Sequence, residues 1–211
     1  MSTLVVNSLT HSGNSGTNNL TLDSDGNVTV AGNILGATVT GGPILEQFYT
    51  PCDGNAVTVS TGDCPIQNVT AVQNGTTTYT DLTGSSLSYV PPAGAKTVIY
   101  KFYFQLSGAG NAHPIGHFKF FMDSTEVVYA RSSFSSWSSG GIYSYDYPIP
   151  IGGTADTNTG RVATWTSAKT LKMQYREYGG SNQSKVHETY YWDGAGGNEF
   201  IIPRIGITAL K

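Results

Sequence analysis

His113 and His117 stand four residues apart in the stretch His113-Pro114-Ile115-Gly116-His117, with His187 further along. On an extended strand, residues four apart share a face, so this spacing is one that a metal ion can bridge. Pro114 and Gly116 interrupt a regular strand between them, and no neighbouring Asp, Glu or His completes a ligand set. The plainer expectation is polar surface or inter-subunit histidines. Clustered across subunits, they would loosen an assembly on protonation near pH ~6. Glycoside hydrolysis needs two carboxylates about 5–10 Å apart across a cleft. Glu188 with Asp193, or Asp123 with Glu126, pair on paper, but any β protein offers such pairs. The chain has no Gly-x-Ser-x-Gly elbow, no phosphate-binding Gly-Lys-Ser/Thr loop and no dinucleotide fingerprint. The expectation is a protein that is not an enzyme, with no catalytic residue, no metal and no cofactor.

Two further groups have chemistry to offer. Cys52 and Cys64 would close a loop of about a dozen residues, worth up to ~3 kcal/mol if bridged without strain. The alternative is a pair of free or buried thiols in a reducing compartment, which is the expectation here. The segment Phe134-Ser-Ser-Trp137-Ser-Ser-Gly-Gly-Ile-Tyr143-Ser-Tyr145-Asp-Tyr147 spaces five aromatic rings with Ser and Gly. Tyr and Trp among small residues make adaptable contact surface, and their faces stack on sugar rings. Trp137, Tyr143, Tyr145 and Tyr147 are therefore receptor- or glycan-contact candidates. The competing reading has Phe134 and Trp137 filling a core while the tyrosines alternate along a strand. Tyr190-Tyr191-Trp192 reads as core plus subunit contact.

The elements that must position these residues are strands. Charged residues make up only 12% of the 211, about half the usual share. Gly, Ser, Thr, Asn and Tyr take their place, and no stretch sustains a 3.6-residue apolar period. The chain is all-β. Val98, Tyr100, Phe102, Phe104 and Leu106 point one way, with Thr97, Lys101, Tyr103 and Gln105 opposed. Phe118, Phe120 and Met122 oppose His117, Lys119 and Phe121, and Leu171, Met173 and Tyr175 oppose Lys172, Gln174 and Arg176. Asn74-Gly75, Asp123-Ser124, Gly152-Gly153, Gly179-Gly180 and Asp193-Gly194 mark turns. Eight or nine strands at this spacing predict an antiparallel, jelly-roll-like β-sandwich over residues 43–211. Tyr147-Pro148-Ile149-Pro150-Ile151 reads as an edge strand, because each Pro lacks a ladder donor.

Residues 1–42 differ. The first 95 residues hold six acids and no Lys or Arg, while the rest hold eight acids and all 11 Lys and Arg residues. Leu20-Thr21-Leu22-Asp23 and Asn27-Val28-Thr29-Val30 alternate about Ser24-Asp25-Gly26, whose Asp-Gly pair suits a tight hairpin turn. Such short apolar pairs bury too little surface to offset the ordering of ~40 residues. The alternation therefore predicts a short intertwined β segment that winds with copies of itself or docks on a partner. Leu20, Leu22, Val28, Val30, Ile34 and Leu35 are its trimer and attachment candidates, and Gly41-Gly42-Pro43 is the junction. Met1 to Thr10 shows no secretion signal, and no run approaches the ~20 apolar residues that span a bilayer. No Lys/Arg cluster is present to meet a phosphate backbone. The expectation excludes nucleic acid and membrane insertion. The Asn-x-Ser/Thr triplets, at Asn19, Asn27, Asn68, Asn74 and Asn182, read as by-products of Thr/Asn-rich strands.

Thr3-Leu-Val-Val-Asn7-Ser-Leu, Leu20-Thr-Leu-Asp23 and Gly26-Asn-Val-Thr-Val30-Ala-Gly-Asn33 together resemble the N-terminal attachment segments of virion proteins of tailed bacteriophages, cyanophages and marine phages above all. Leu45-Glu-Gln-Phe-Tyr-Thr-Pro-Cys-Asp-Gly54, Trp165-Thr-Ser-Ala-Lys-Thr-Leu171, Arg176-Glu-Tyr-Gly-Gly180-Ser-Asn and Tyr191-Trp-Asp-Gly-Ala-Gly196 look like the C-terminal sandwich module of the same tail-fibre type. The resemblance implies a homotrimeric virion component assembled in the host cytoplasm. Its N-terminal segment would fix it to other virion proteins of the tail, baseplate or capsid, and its sandwich would face outward to bind a host surface glycan. A capsid decoration (cement) protein that stabilises the shell fits the same pattern. A carbohydrate-acting enzyme is the remaining alternative, with least support.

Overall fold

The computed structural model describes residues 8–9, 20–22, 28–30, 43–108, 113–136, 140–179, 184–191, 194 and 197–211. The chain divides into two units, Met1–Gly41 and Gly42–Lys211. In the first, β1 (Ser8–Leu9), β2 (Leu20–Leu22) and β3 (Val28–Val30) form a sheet in the order β1-β2-β3. Leu20 pairs with Val30 and Leu22 with Val28 in antiparallel register, on either side of Ser24-Asp25-Gly26, where the sequence predicts a tight turn. That turn, with Ile34 and Leu35, lies outside the described residues.

The second unit holds β4 (Ile44–Pro51), β5 (Val57–Val59), β6 (Gly62–Cys64), β7 (Gln73–Asn74), β8 (Thr80–Asp81), β9 (Leu87–Tyr89), β10 (Thr97–Gly108), β11 (Ile115–Met122) and β12 (Thr125–Ser135). It continues with β13 (Gly140–Pro150), β14 (Lys169–Glu177), β15 (Ser184–Val186), β16 (Glu188–Tyr191), β17 (Gly197–Phe200) and β18 (Arg204–Leu210). One sheet runs β4-β18-β10-β13; on β10 beyond the start of β18, β15 pairs with β10 and β7 with β15. The other runs β12-β11-β14, with β8 and β9 sharing the far side of β14. Strands consecutive in the chain thus pass repeatedly from one sheet to the other, and all these pairings are antiparallel. This is the double Greek key of a jelly-roll β-sandwich, and it matches the predicted fold class. β5 with β6 and β16 with β17 form separate hairpins.

Period-two alternation decides what the sheets enclose. Val98, Tyr100, Phe102, Phe104 and Leu106 are buried, as are Phe118, Phe120 and Met122, and Leu171, Met173 and Tyr175. Each of these sets faces inward as its alternation predicts. Phe118 stacks between Tyr143 and Tyr175, at centroid distances of 4.8 and 5.3 Å. Buried hydroxyls and ring N–H groups find partners, as a dry interior requires. Tyr100 donates to the Ser85 carbonyl (2.6 Å), Trp165 Nε1 donates to the Tyr89 carbonyl (3.2 Å), and the Tyr175 and Ser184 hydroxyls bond to each other. β10 is the one strand that pairs with β13 among the described residues, and only the Val162 N–H reaches its far side, at the Pro150 carbonyl (3.1 Å), so Pro148 and Pro150 sit on an edge, where a missing donor is tolerated.

Candidate functional site

On β13 the odd-numbered residues turn into the sandwich. Tyr145 is 6% exposed and its hydroxyl donates to the Ala130 carbonyl (3.0 Å). Tyr143 and Tyr147 are half-buried and donate to Ser132 Oγ (2.7 Å) and the Thr159 carbonyl (2.8 Å). Burial raises the pKa of all three phenols. The receptor-contact expectation is corrected here: Tyr145 is a core residue, and Tyr143 and Tyr147 spend their rings on Phe118 and Phe120. The reason was present in the sequence, because Ile149 shares their parity while Ser144 and Asp146 hold the other. Trp137 lies outside the described residues. Tyr190 and Tyr191, read as core plus contact, are 52% and 59% exposed on the β16–β17 hairpin.

The outer faces of the two sheets carry charge in opposite ways. On the β12-β11-β14 sheet the acids are paired with bases, while Arg176 donates to the Glu177 and Tyr178 carbonyls (3.1 and 3.2 Å). Glu126 takes Lys119 (3.0 Å) and Arg131 (2.6 Å), Asp81 takes Lys172 (2.8 Å), and Asp123 takes Lys169 (3.2 Å). Lys119 and Arg176 also lie at the Tyr79 ring, 4.5 and 5.8 Å from its centroid. These contacts hold the carboxyls of Asp81 and Glu126 below their ordinary range, against the opposing effect of burial.

On the β4-β18-β10-β13 sheet they are not. Pairing places Tyr49, Gly206, Lys101 and Asp146 in one row across four strands. The next row holds Arg204, Tyr103 and Ser144. The Arg204 guanidinium lies 5.3 Å from the Tyr103 ring centroid. The side chains of Lys101, Asp146 and Arg204 make no ion pair or hydrogen bond among the described residues. A cleft of ≈340 Å³ opens there, lined by Gln47, Tyr49, Lys101, Ser144 and Asp146, with Phe48 and Phe102 beneath. Sequence reasoning missed this cluster because its members come from four distant segments, and no single strand's period reveals it.

The remaining candidates are structural. The Asp123 carboxylate accepts the Thr170 N–H (2.9 Å) besides Lys169, so it and Glu126 are both committed to the sheet. Glu188 is buried and takes the Ser107 hydroxyl (2.7 Å) and Lys185 (3.2 Å); Asp193 lies outside the described residues. His113 is exposed, His117 packs near Tyr178, and His187 is fully buried. Among the described residues no three His, Cys, Asp or Glu side chains gather as metal ligands. Cys52 and Cys64 are free and buried; their thiols contact the carbonyls of Gly84 and Ser88, and burial pushes them up to about 12 and about 11.

No family model and no curated protein matches the chain. Among solved structures, it is similar to that of infectious bursal disease virus strain Gt, with a TM-score of 0.34 and 8% identity. The match covers 96% of this chain and 51% of that one. The structure of the Gx strain of the same virus gives 0.33 and 7%, covering 79% of this chain and 37% of that one. The chain therefore spans about half or less of these neighbours. Both similarities are shallow, and the functional reading rests on the sandwich and the N-terminal unit themselves.

Proposed function

We propose that this chain is a structural virion protein of a tailed phage, a trimeric tail-fibre-type component that displays a host-binding β-sandwich. The observation that carries the reading is the contrast between its two units. The second unit has its own dry aromatic core, whereas the described residues of the first form three strands, each two or three residues long. Strands this short offer little apolar surface to bury within one chain, and winding with further chains would supply more. Leu20, Leu22, Val28 and Val30 lie on its paired strands, where a trimer would bring three copies together. Three sandwiches on one anchor add avidity, so weak contacts to a host glycan can hold a cell. The resemblance of the chain to phage attachment segments and sandwich modules supports the same assignment. The protein acts by binding and has no catalytic role.

The full chain is expected to have the solution mass of a trimer, and a version beginning at Pro43 that of a monomer. Two monomers would overturn the winding of residues 1–42. Antibody labelling of purified particles is expected to mark the tail. Signal over the shell would make the chain a capsid decoration protein instead.

A further inference from the structure

We infer that the outer face of the β4-β18-β10-β13 sheet is a binding site for an acidic saccharide, a pyranose bearing a carboxylate, centred on Tyr49 and bounded by Lys101, Asp146 and Arg204. The inference deepens the host-binding reading above and rests on it. Gly206 explains the platform. A Cβ at that position would come within 2.5 Å of the Phe48 carbonyl oxygen and 2.6 Å of Tyr49 Cδ2. The Tyr49 ring therefore leans over the glycine across the β4–β18 pair, a position that any side chain at 206 would deny it. Tyr49 nonetheless remains 49% exposed, so ring surface is left to solvent. An exposed tyrosine ring is a surface on which the C–H face of a sugar packs, with the hydroxyls left free to reach groups at the rim.

Those groups are present and unspent. The Asp146 carboxylate is an acceptor for vicinal hydroxyls, and the Lys101 ammonium beside it is a donor. Gln47, which also lines the cleft, donates through its amide nitrogen to Thr208 Oγ1 (3.1 Å). Arg204, held at the Tyr103 ring, keeps a planar fork matched to a carboxylate. Two unpaired cations against one unpaired acid favour one negative charge at the site, that of a single carboxylate-bearing ring. A polyphosphate chain is disfavoured, because Asp146 would face it and no further cations follow.

The test titrates the full chain with a tetramer of galacturonic acid and, separately, with the uncharged galactose tetramer, by calorimetry. The acidic tetramer is expected to bind at least about tenfold more tightly, a difference of ~1.4 kcal/mol. Tyr49→Ala and Arg204→Ala should each weaken it about tenfold or more, while Tyr49→Phe keeps it. Thermal unfolding of each variant checks that the sandwich is intact, and Lys101→Gln replaces any variant that fails to fold. Undiminished binding in all folded variants overturns this site but leaves the host-binding reading standing. No binding of the acidic tetramer also overturns the site, and particle labelling then decides the parent reading separately. A fall in solution mass on Tyr49→Ala, without saccharide binding by the parent chain, would make this face a contact between copies and sink the proposal.

Discussion

His187 is the residue whose environment is least like that of its type. It is fully buried, has φ 66° and sits edge-on to the rings of Phe102 and Phe104. Its Nε2 lies 3.0 Å from the Thr83 carbonyl and 2.9 Å from Thr83 Oγ1, while Nδ1 has no hydrogen-bond partner. A carbonyl can only accept, so the proton belongs on Nε2, and Nδ1 is left as a bare acceptor in a dry core. Burial lowers the pKa of His187 from 6.5 to about 4, with the Thr83 carbonyl opposing. The nearest acid in sequence, Glu188, is already engaged by Ser107 and Lys185 and gives the imidazolium no free partner. Between those two values the unfolded chain holds a proton that the folded chain does not. Stability is therefore complete above pH 6.5 and falls by about 3 kcal/mol as pH drops towards 4. Urea unfolding across that range checks this, and His187→Asn, which tolerates the positive φ, should flatten the slope. Below pH 4, protonation of Asp81 and Glu126, whose pKa values are lowered, removes further stability. None of this was legible in the sequence. A lone histidine before Glu188 carries no periodic signal, and its hydrogen-bond partner Thr83 lies 104 residues away.

At the scale of the element, β13 shows how alternation is read correctly in kind and wrongly in direction. A run of Tyr spaced by Ser and Asp can fill a core or meet a ligand, and in the sequence only Ile149, of the same parity, points to the core. The structure settles it through β10: Tyr100 pairs with Tyr147, Phe102 with Tyr145 and Phe104 with Tyr143, and the β10 partners are fully buried. A cross-strand pair points to one face, so the tyrosines follow. Tyr145→Ala is expected to cost about 3–5 kcal/mol, in the range of large aromatic deletions. Tyr145→Phe should cost only ~1 kcal/mol, the net value of the bond to Ala130. Denaturant midpoints of the two variants check both figures. If Tyr145→Ala unfolded at the parent midpoint, the residue would have no core role. By contrast, the inward sets of β10, β11 and β14 were fully legible, because charged or amide side chains occupy the opposing positions and fix the phase. The edge position of β13 was legible too, from Pro148 and Pro150 alone.

At the scale of the whole molecule, topology does what no local pattern can announce. Four segments, 44–51, 97–108, 140–150 and 204–210, meet in one sheet although the first and last are more than 150 residues apart. The sequence supplied the strands and their inner faces. The order in which they pair, and with it the Tyr49–Gly206–Lys101–Asp146 row, depends on crossovers that composition does not encode. One consequence concerns where the sandwich begins and ends. β4 lies against β18, and the Lys211 N–H donates to the Pro43 carbonyl at 2.7 Å. The sandwich is in effect a closed loop of chain with a single seam. Its two ends can therefore be spliced by a short linker and new ends cut between Gly153 and Thr154, at an exposed turn. Such a circular permutant is expected to unfold within about 2 kcal/mol of the uncut sandwich, measured in urea. The seam is then a place of convenience for the chain, and the fold itself has no preferred starting point.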